Sequence, residues 1–154
     1  MKKALLILLA LITALMCACG KTAAKPLDEV YKDLKAEIVS ENVNELSDIK
    51  LMQRYYGITS DMAVEFAGCI NASGVDQEEI VLVKAADDSA AGSIKDKLET
   101  RYQTKLSQNK NYNAEQAAMI SACSVERDGL YVSMIVSKNA ERIREIYRAD
   151  IGLK

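Results

Sequence analysis

The chain has 154 residues, enough for one domain, and its 49% hydrophobic and 27% charged residues are typical of a globular protein. Its formal net charge of −2, without a cluster of Lys and Arg, argues against nucleic acid as a partner, because phosphate binding needs grouped basic side chains. The sequence contains no His, which excludes Ser-His-Asp and Cys-His catalysis and His-ligated zinc or haem.

The N-terminus has the parts of a secretory signal peptide. Lys2 and Lys3 give a positive start, Ala4–Met16 is almost entirely apolar, and small residues surround Cys19. The apolar run is shorter than the roughly 20 residues that a membrane-spanning helix needs. We therefore predict a removable signal peptide at residues 1–18. Its loss leaves 18 basic and 22 acidic side chains, a net charge of −4.

The cysteine after this signal predicts a lipid anchor. The segment resembles a bacterial lipobox, in which a peptidase cuts before a Cys that carries a diacylglyceryl group. Cys17 and Cys19 compete for this role, and Cys19 is favoured because its neighbours Ala18 and Gly20 are small. Two acyl chains give stable anchoring, at ~0.8 kcal/mol per buried CH₂. We predict lipidation of Cys19, incorporation of palmitate and location on the extracytoplasmic face of the cell membrane. An uncleaved anchor or a secreted protein is the alternative.

A short tether, residues 19–26, precedes a single α+β domain, residues 27–154. Apolar spacing predicts four helices: Leu27–Val39, Asp48–Tyr55, Ala90–Ser107 and Asn139–Ala149. Alternation and turn residues predict two hairpins: Ala63–Ala72 with Ile80–Val83, and Ser121–Arg127 with Leu130–Ser137 around Asp128-Gly129. Segments 40–47 and 105–113 are predicted as loop, and 114–120 fits helix or strand. The hairpins should merge into a roughly four-stranded antiparallel sheet with helices over its one apolar face.

Acidic residues near the first hairpin are the first candidates for chemistry. Asp76, Glu78 and Glu79 fall in or beside its loop, and Asp87-Asp88 follows its second strand. Paired carboxylates can bind a metal ion or act as acid and base. Their spacing does not match a calcium loop. Solubility of the turn and helix capping are the simpler interpretation.

Hydroxyl groups are the second set of candidates. Four serines lie on the second hairpin: Ser121, Ser124, Ser133 and Ser137. Without His, a serine nucleophile would need Lys as its base, so a solvated sheet face is the preferred interpretation. Three tyrosines are candidates for the lining of a ligand groove: Tyr55, Tyr56 and Tyr131. Ordinary packing explains them equally well.

Cys69 and Cys123 are the remaining cysteines of the mature chain. A disulfide between two strands is plausible outside the cytoplasm. Two buried free thiols are the alternative, and we favour it because unpaired Cys behaves as a small hydrophobic residue. Two Cys without His cannot form a closed zinc site.

Three segments carry a resemblance to a known family: Tyr56-Gly57-Ile58, Glu79–Ala85 and Asp128–Val132. With the lipobox, they resemble small lipoproteins of Gram-positive, largely clostridial-type bacteria that are described as a domain of unknown function. The resemblance covers about Leu51–Ile151. It implies location and domain layout, and it supplies no active-site residue.

The sequence therefore predicts a membrane-anchored protein without a recognisable catalytic, cofactor or metal site. We expect a non-enzymatic binding or adaptor protein of the cell envelope, whose partner is another envelope protein or cell-wall material. A small envelope hydrolase or transferase that uses carboxylates or a Ser-Lys pair is the alternative. A transporter's solute-binding component is disfavoured, because such receptors need two lobes and a longer chain.

Overall fold

The structure is a computed structural model that describes residues 23–71 and 73–153. The predicted signal peptide and Cys19 lie outside the described residues, as does Ala72. The described helices are α1 Leu27–Leu34, a 3₁₀ turn Lys35–Glu37, α2 Ile49–Tyr56, α3 Asp88–Lys110, α4 Ala114–Ser121 and α5 Ala140–Asp150. The described strands are β1 Val43–Glu45, β2 Ala63–Asn71, β3 Glu79–Ala85, β4 Ser124–Asp128 and β5 Tyr131–Val136.

The strands form one antiparallel sheet in the order β1-β2-β3-β5-β4. The α+β class and both hairpins are confirmed, and β3 pairs with β5 so that the hairpins merge as predicted. The sheet has five strands instead of four. The extra strand is β1, in a segment predicted as loop, where Val43 lies opposite Asn71 and Glu45 opposite Cys69.

Helices cover both faces of the sheet, whereas the sequence predicted one covered face. α1 and α5 pack together on one face, and α3 with α2 and α4 covers the other. β3 is buried on both sides, with only Lys84 partly exposed. The continuous apolar run Ile80–Val83 is typical of such a doubly buried strand, and the expectation of one apolar face was wrong for this reason.

The helix termini follow capping rules. Asp48 caps α2 by accepting a hydrogen bond from the Lys50 N–H at 2.9 Å, and Gly57 ends the helix with φ +66°. Asp87 caps α3 through the Ala90 N–H at 2.8 Å.

The prediction of a polar break from residue 105 was wrong, because α3 continues to Lys110. The ambiguous segment 114–120 is the helix α4.

Two other predicted boundaries shift by a few residues. α1 ends at Leu34 instead of Val39, and the 3₁₀ turn follows it. In the second hairpin, Asp128 pairs with Tyr131, so the two-residue turn is Gly129-Leu130 instead of Asp128-Gly129. Gly129 has φ +61°, which suits the first position of a type II′ turn.

The end of the tether is attached to the domain. The Lys25 N–H donates to the Asp150 carbonyl oxygen at 2.9 Å, and the Lys25 ammonium pairs with the carboxylates of Asp33 and Asp150 at 2.7 Å each. The chain therefore enters the domain beside the C-terminal end of α5. None of the helices that the structure describes has the length and apolar character needed to cross a bilayer.

Candidate functional site

One edge of the sheet is only partly covered. β1 pairs with residues 69–71 of β2, and the Leu46 N–H adds one more bond, to the Gly68 carbonyl at 2.9 Å. The chain then leaves the edge and enters α2. Along residues 64–67 of β2, no other strand of the described ranges lies on this side. This stretch is the open edge of β2.

The backbone of Phe66 points away from β3 at this open edge. The Gly68 carbonyl faces β1, whereas the Asn71 N–H donates to Glu78 at the β3 end. Because hydrogen-bonding directions alternate along an antiparallel strand, Phe66 shares the outward direction of Gly68. Within residues 23–71 and 73–153, neither its N–H nor its carbonyl has a hydrogen-bond partner on that side. Such groups are a template for another strand.

A cavity of about 260 Å³ lies directly beside the open edge. We call it the edge groove, and its lining residues are Asp28, Tyr31, Lys32, Lys35, Glu45, Leu46, Ser47, Phe66, Ala67 and Gly68. Its volume is below the roughly 300–1,000 Å³ of ordinary small-molecule pockets. The groove lies where a continuation of β1 along β2 would run, because both Leu46-Ser47 and the open edge line it.

The charged rim of the edge groove is internally neutralised. Lys32 pairs with Asp28 at 3.1 Å, and Lys35 pairs with Glu45 at 2.6 Å. The Lys35 ammonium also lies 5.4 Å from the centre of the Tyr31 ring. With each described rim cation matched by a carboxylate, the groove has no marked preference for a charged ligand.

A second depression, of about 360 Å³, lies on the α2 side of β1. Its lining residues are Val43, Asn44, Glu45, Leu46, Ser47, Leu51, Tyr55 and Ile70. It shares residues 45–47 with the edge groove, whose other wall is α1. Since α1 and α2 lie on opposite faces of the sheet, the two depressions flank this edge from both faces. Tyr55 is the predicted ligand-groove residue that lies here.

The opposite edge of the sheet, formed by β4, is protected by charge. Glu126 pairs with Arg144 at 2.6 Å, and Asp128 pairs with Arg148 at 3.1 Å. Charged side chains on an edge strand oppose pairing with other chains. The open edge of β2 carries one such pair, Glu65 with Lys84 at 2.7 Å, but it also presents the apolar Val64, which is 63% exposed.

Two of the five predicted acidic candidates, Glu78 and Glu79, are buried and engaged, which contradicts their assignment to turn solubility. Glu79 is fully buried and accepts hydrogen bonds from Arg101 at 3.0 and 2.9 Å and from the Tyr56 hydroxyl at 2.9 Å. The Lys105 ammonium lies 2.9 Å from the same carboxylate. Burial alone would raise the pKa of Glu79, but the hydrogen bonds from Arg101 and the charge of Lys105 hold it below its usual value.

Glu78 joins three parts of the chain. Its carboxylate accepts hydrogen bonds from the N–H groups of Val39 and Ser40, at 3.1 and 2.6 Å, and from the Ser137 hydroxyl. Asp76 accepts from the Ser40 hydroxyl. These contacts fix the segment before β1 against the ends of β3 and β5. Within the described ranges, no three Asp, Glu or Cys side chains are arranged to hold a metal ion.

The remaining acidic candidates serve at the surface. Asp87 caps α3, as the capping interpretation predicted. Asp88 pairs with Arg127 on β4. Neither carboxylate belongs to the buried group around Glu79.

The serine and tyrosine candidates do not converge on one site. Ser133 and Ser137 are buried at 3% and 2% exposure, so the predicted solvated face was wrong, because α5 covers that side of β5. Ser121 donates to a carbonyl of its own helix, and Ser124 accepts from Arg144. Across the described chain, no Lys ammonium contacts a Ser hydroxyl. The Lys84 ammonium lies over the Tyr131 ring, 5.7 Å from the ring centre.

Cys69 and Cys123 are both free and buried, as the favoured interpretation predicted. Cys69 lies on β2 and Cys123 immediately precedes β4, and β3 and β5 separate these strands. Three strand spacings amount to roughly 14 Å, beyond the reach of a disulfide. Burial raises the pKa of the Cys69 thiol to about 11.

Comparison with known proteins identifies a family but no function. A family model described as a domain of unknown function (DUF4358) matches residues 36–137. The match covers all five strands and α2 to α4, and it leaves out α1 and α5. No curated protein and no solved structure matches the chain. Because the match covers more than half of the chain, this protein belongs to the DUF4358 family of domains of unknown function.

Proposed function

We propose that this protein is a lipoprotein, anchored through Cys19 to the extracytoplasmic face of the cell membrane, and that its domain is a non-enzymatic binding or adaptor protein of the envelope. The signal and lipobox of residues 1–20 support the anchor. The open edge of β2 carries the binding half of the proposal. It combines unpaired backbone groups, the exposed apolar Val64 and an adjacent groove.

The tether limits where such a partner can lie. Cys19 is six residues before Lys25, whose contacts with Asp150 fix it to the domain. Six extended residues span at most roughly 21 Å. The Leu27 N–H donates to the Glu65 carboxylate at 3.0 Å, which places the start of α1 beside the open edge. A lipid on Cys19 therefore holds the open edge near the membrane surface, and we expect a partner that is present there.

The alternative of a small hydrolase or transferase lacks a supporting observation. The carboxylates of Glu78 and Glu79 are saturated by donors inside the fold. The described serines lack a contacting Lys. The binding proposal is preferred because the outward backbone groups of Phe66 are unpaired and the Val64 side chain is exposed.

Metabolic labelling with radioactive palmitate tests the anchor. We expect the wild type and a Cys17→Ala control to incorporate label, and Cys19→Ala to remain unlabelled and uncut. Retention of label and detergent partitioning by Cys19→Ala would refute the assignment of the anchor.

In-cell crosslinking of the tagged protein tests the binding function. We expect a specific adduct in the wild type that is strongly reduced in Cys19→Ala, because the unanchored domain is no longer held at the membrane. Equal yields from both proteins would show that anchoring does not determine the partner. Absence of any adduct above background would count against a protein partner and favour cell-wall material.

A further inference from the structure

We propose that the open edge of β2 binds an extended polypeptide segment of a partner protein, which adds to the sheet as a strand in line with β1. This inference rests on the binding half of the proposed function and names the class of its partner. The bound segment is short, because the open edge spans residues 64–67, roughly 13 Å at 3.3 Å per residue.

The backbone supplies the main recognition. Phe66 presents an N–H and a carbonyl outward, without partners in the described chain, on a strand whose residues 65–70 pair in unbroken register with β3. Val64 lies at a β-bulge just before this stretch. A polypeptide backbone carries the matching donor and acceptor at strand spacing. Sheet extension of this kind obtains affinity from main-chain bonds and specificity from pockets for alternate side chains.

The surroundings of the edge fit a strand and its side chains. The edge groove continues the line of β1, and Leu46-Ser47 closes one end of it. The second depression opens on the other face, with Leu51, Tyr55 and Ile70 in its lining. Successive side chains of a strand point to opposite faces. A docked segment therefore places one side chain towards α1 and the next towards α2, where Leu51, Tyr55 and Ile70 favour an apolar residue.

A second copy of this chain is a less suitable occupant. Pairing of two β2 edges about a two-fold axis brings both α1 helices to the same face, where the helix that lines the groove of one copy faces the same helix of the other. The open edge also lies between α1 and residues 46–47, which line the same groove. A flexible segment enters this space more readily than the edge of a folded sheet.

Selection from a phage-displayed library of random eight-residue peptides on the full-length protein in detergent micelles tests this proposal. We expect enriched peptides that lack Pro at their centre. The affinity of the best peptide is then compared for the wild type, Phe66→Pro and Phe66→Ala. Both variants lose the ring, but only Pro removes the outward N–H, and Pro is tolerated on an edge whose N–H faces solvent. We expect affinity at least about tenfold weaker in Phe66→Pro than in Phe66→Ala.

Amide hydrogen exchange in the wild type gives a test that does not depend on variants. The selected peptide should slow exchange of the Phe66 amide and leave β4 amides unchanged. Failure to enrich peptides above a blank selection, protection at β4, or equal affinities of the two variants would overturn the proposal. Slow exchange of the Phe66 amide in the absence of peptide, in a protein that sediments as a dimer, would also overturn the proposal. None of these outcomes affects palmitate labelling of Cys19, so failure here is distinguishable from failure of the anchor.

Discussion

The buried carboxylate of Glu79, at the start of β3, accepts two hydrogen bonds from the guanidinium of Arg101 on α3, one at 3.0 Å from Nε and one at 2.9 Å from Nη2. This bidentate geometry is the strongest form of the Arg–carboxylate interaction. Lys105 and Tyr56 complete the shell. The group joins β3 to α2 and α3, at the end of β3 that pairs with Ile70 of β2.

Replacing Glu79 by Gln should destabilise the fold strongly. The variant leaves Lys105, only 7% exposed, without its anionic partner, and an uncompensated buried charge costs about 3–5 kcal/mol. Urea denaturation of the wild type and Glu79→Gln measures the difference. Glu115→Gln is the matched control, because Glu115 pairs with Lys138 at the surface at 3.4 Å, and loss of such a pair costs about 0–1 kcal/mol. Similar losses in both variants would contradict the account of Glu79.

Acidification should reduce the advantage of wild type over Glu79→Gln. The pKa of Glu79 is lower in the folded protein than its ordinary value, so its contribution to stability is present above the unfolded pKa of about 4.3. That contribution is lost as the pH falls through the folded pKa. Urea midpoints at several pH values should show a constant gap above about pH 5 and a shrinking gap below about pH 4. A stability difference between the two proteins that widens on acidification would contradict a lowered pKa of Glu79 in the folded protein.

Gly68→Ala should prevent normal pairing of β2 with β3. Gly68 has φ +145°, and a Cβ there would lie 1.9 Å from the Ile80 carbonyl oxygen. We expect a loss of about 3 kcal/mol or more, from the clash and the backbone conformation together. Gly74→Ala is the control, since Gly74 also has positive φ, +71°, but no atom within 4 Å of the added Cβ. It should cost only about 1–2 kcal/mol, as measured by thermal or urea unfolding.

The two buried thiols should be unreactive in the native protein. Cys69 is fully buried with a pKa of about 11, and burial also raises the pKa of Cys123, so little thiolate forms near neutral pH. Iodoacetamide followed by peptide mapping should label both only after denaturation, and reductant should not change the result. Labelling that requires prior reduction would show a disulfide instead.

Local signals were sufficient for most helices and for the second hairpin. Asp48, Gly57 and Asp87 act within a few residues, so their caps can be predicted from neighbouring sequence. β1 could not be predicted in this way, because Val-Asn-Glu has no strand alternation and becomes a strand only by pairing with residues 69–71. Likewise, the burial of Lys105 inside α3, where a polar break was predicted, involves a distant partner, Glu79.

The candidate site was less accessible to sequence reasoning than the fold. Phe66 and Val64 were predicted on a strand, but their lack of a neighbouring strand depends on where β1 ends. The charge of the acidic pair Glu78-Glu79 is evident from the sequence, yet the donors to these carboxylates lie some 20 to 60 positions away. One available signal was missed: the unbroken run Ile80–Val83 indicates burial on both faces.

Position-specific photocrosslinking in cells tests the central claim most directly. A photoreactive amino acid replaces Val64 at the open edge, or Tyr112, which is 91% exposed in the turn between α3 and α4, in the anchored protein. The account predicts a discrete protein adduct from position 64 that is absent at position 112 and lost when Phe66→Pro is added. Equal adducts at both positions, or an adduct at 64 unchanged by Phe66→Pro, would contradict a binding function for the open edge of β2.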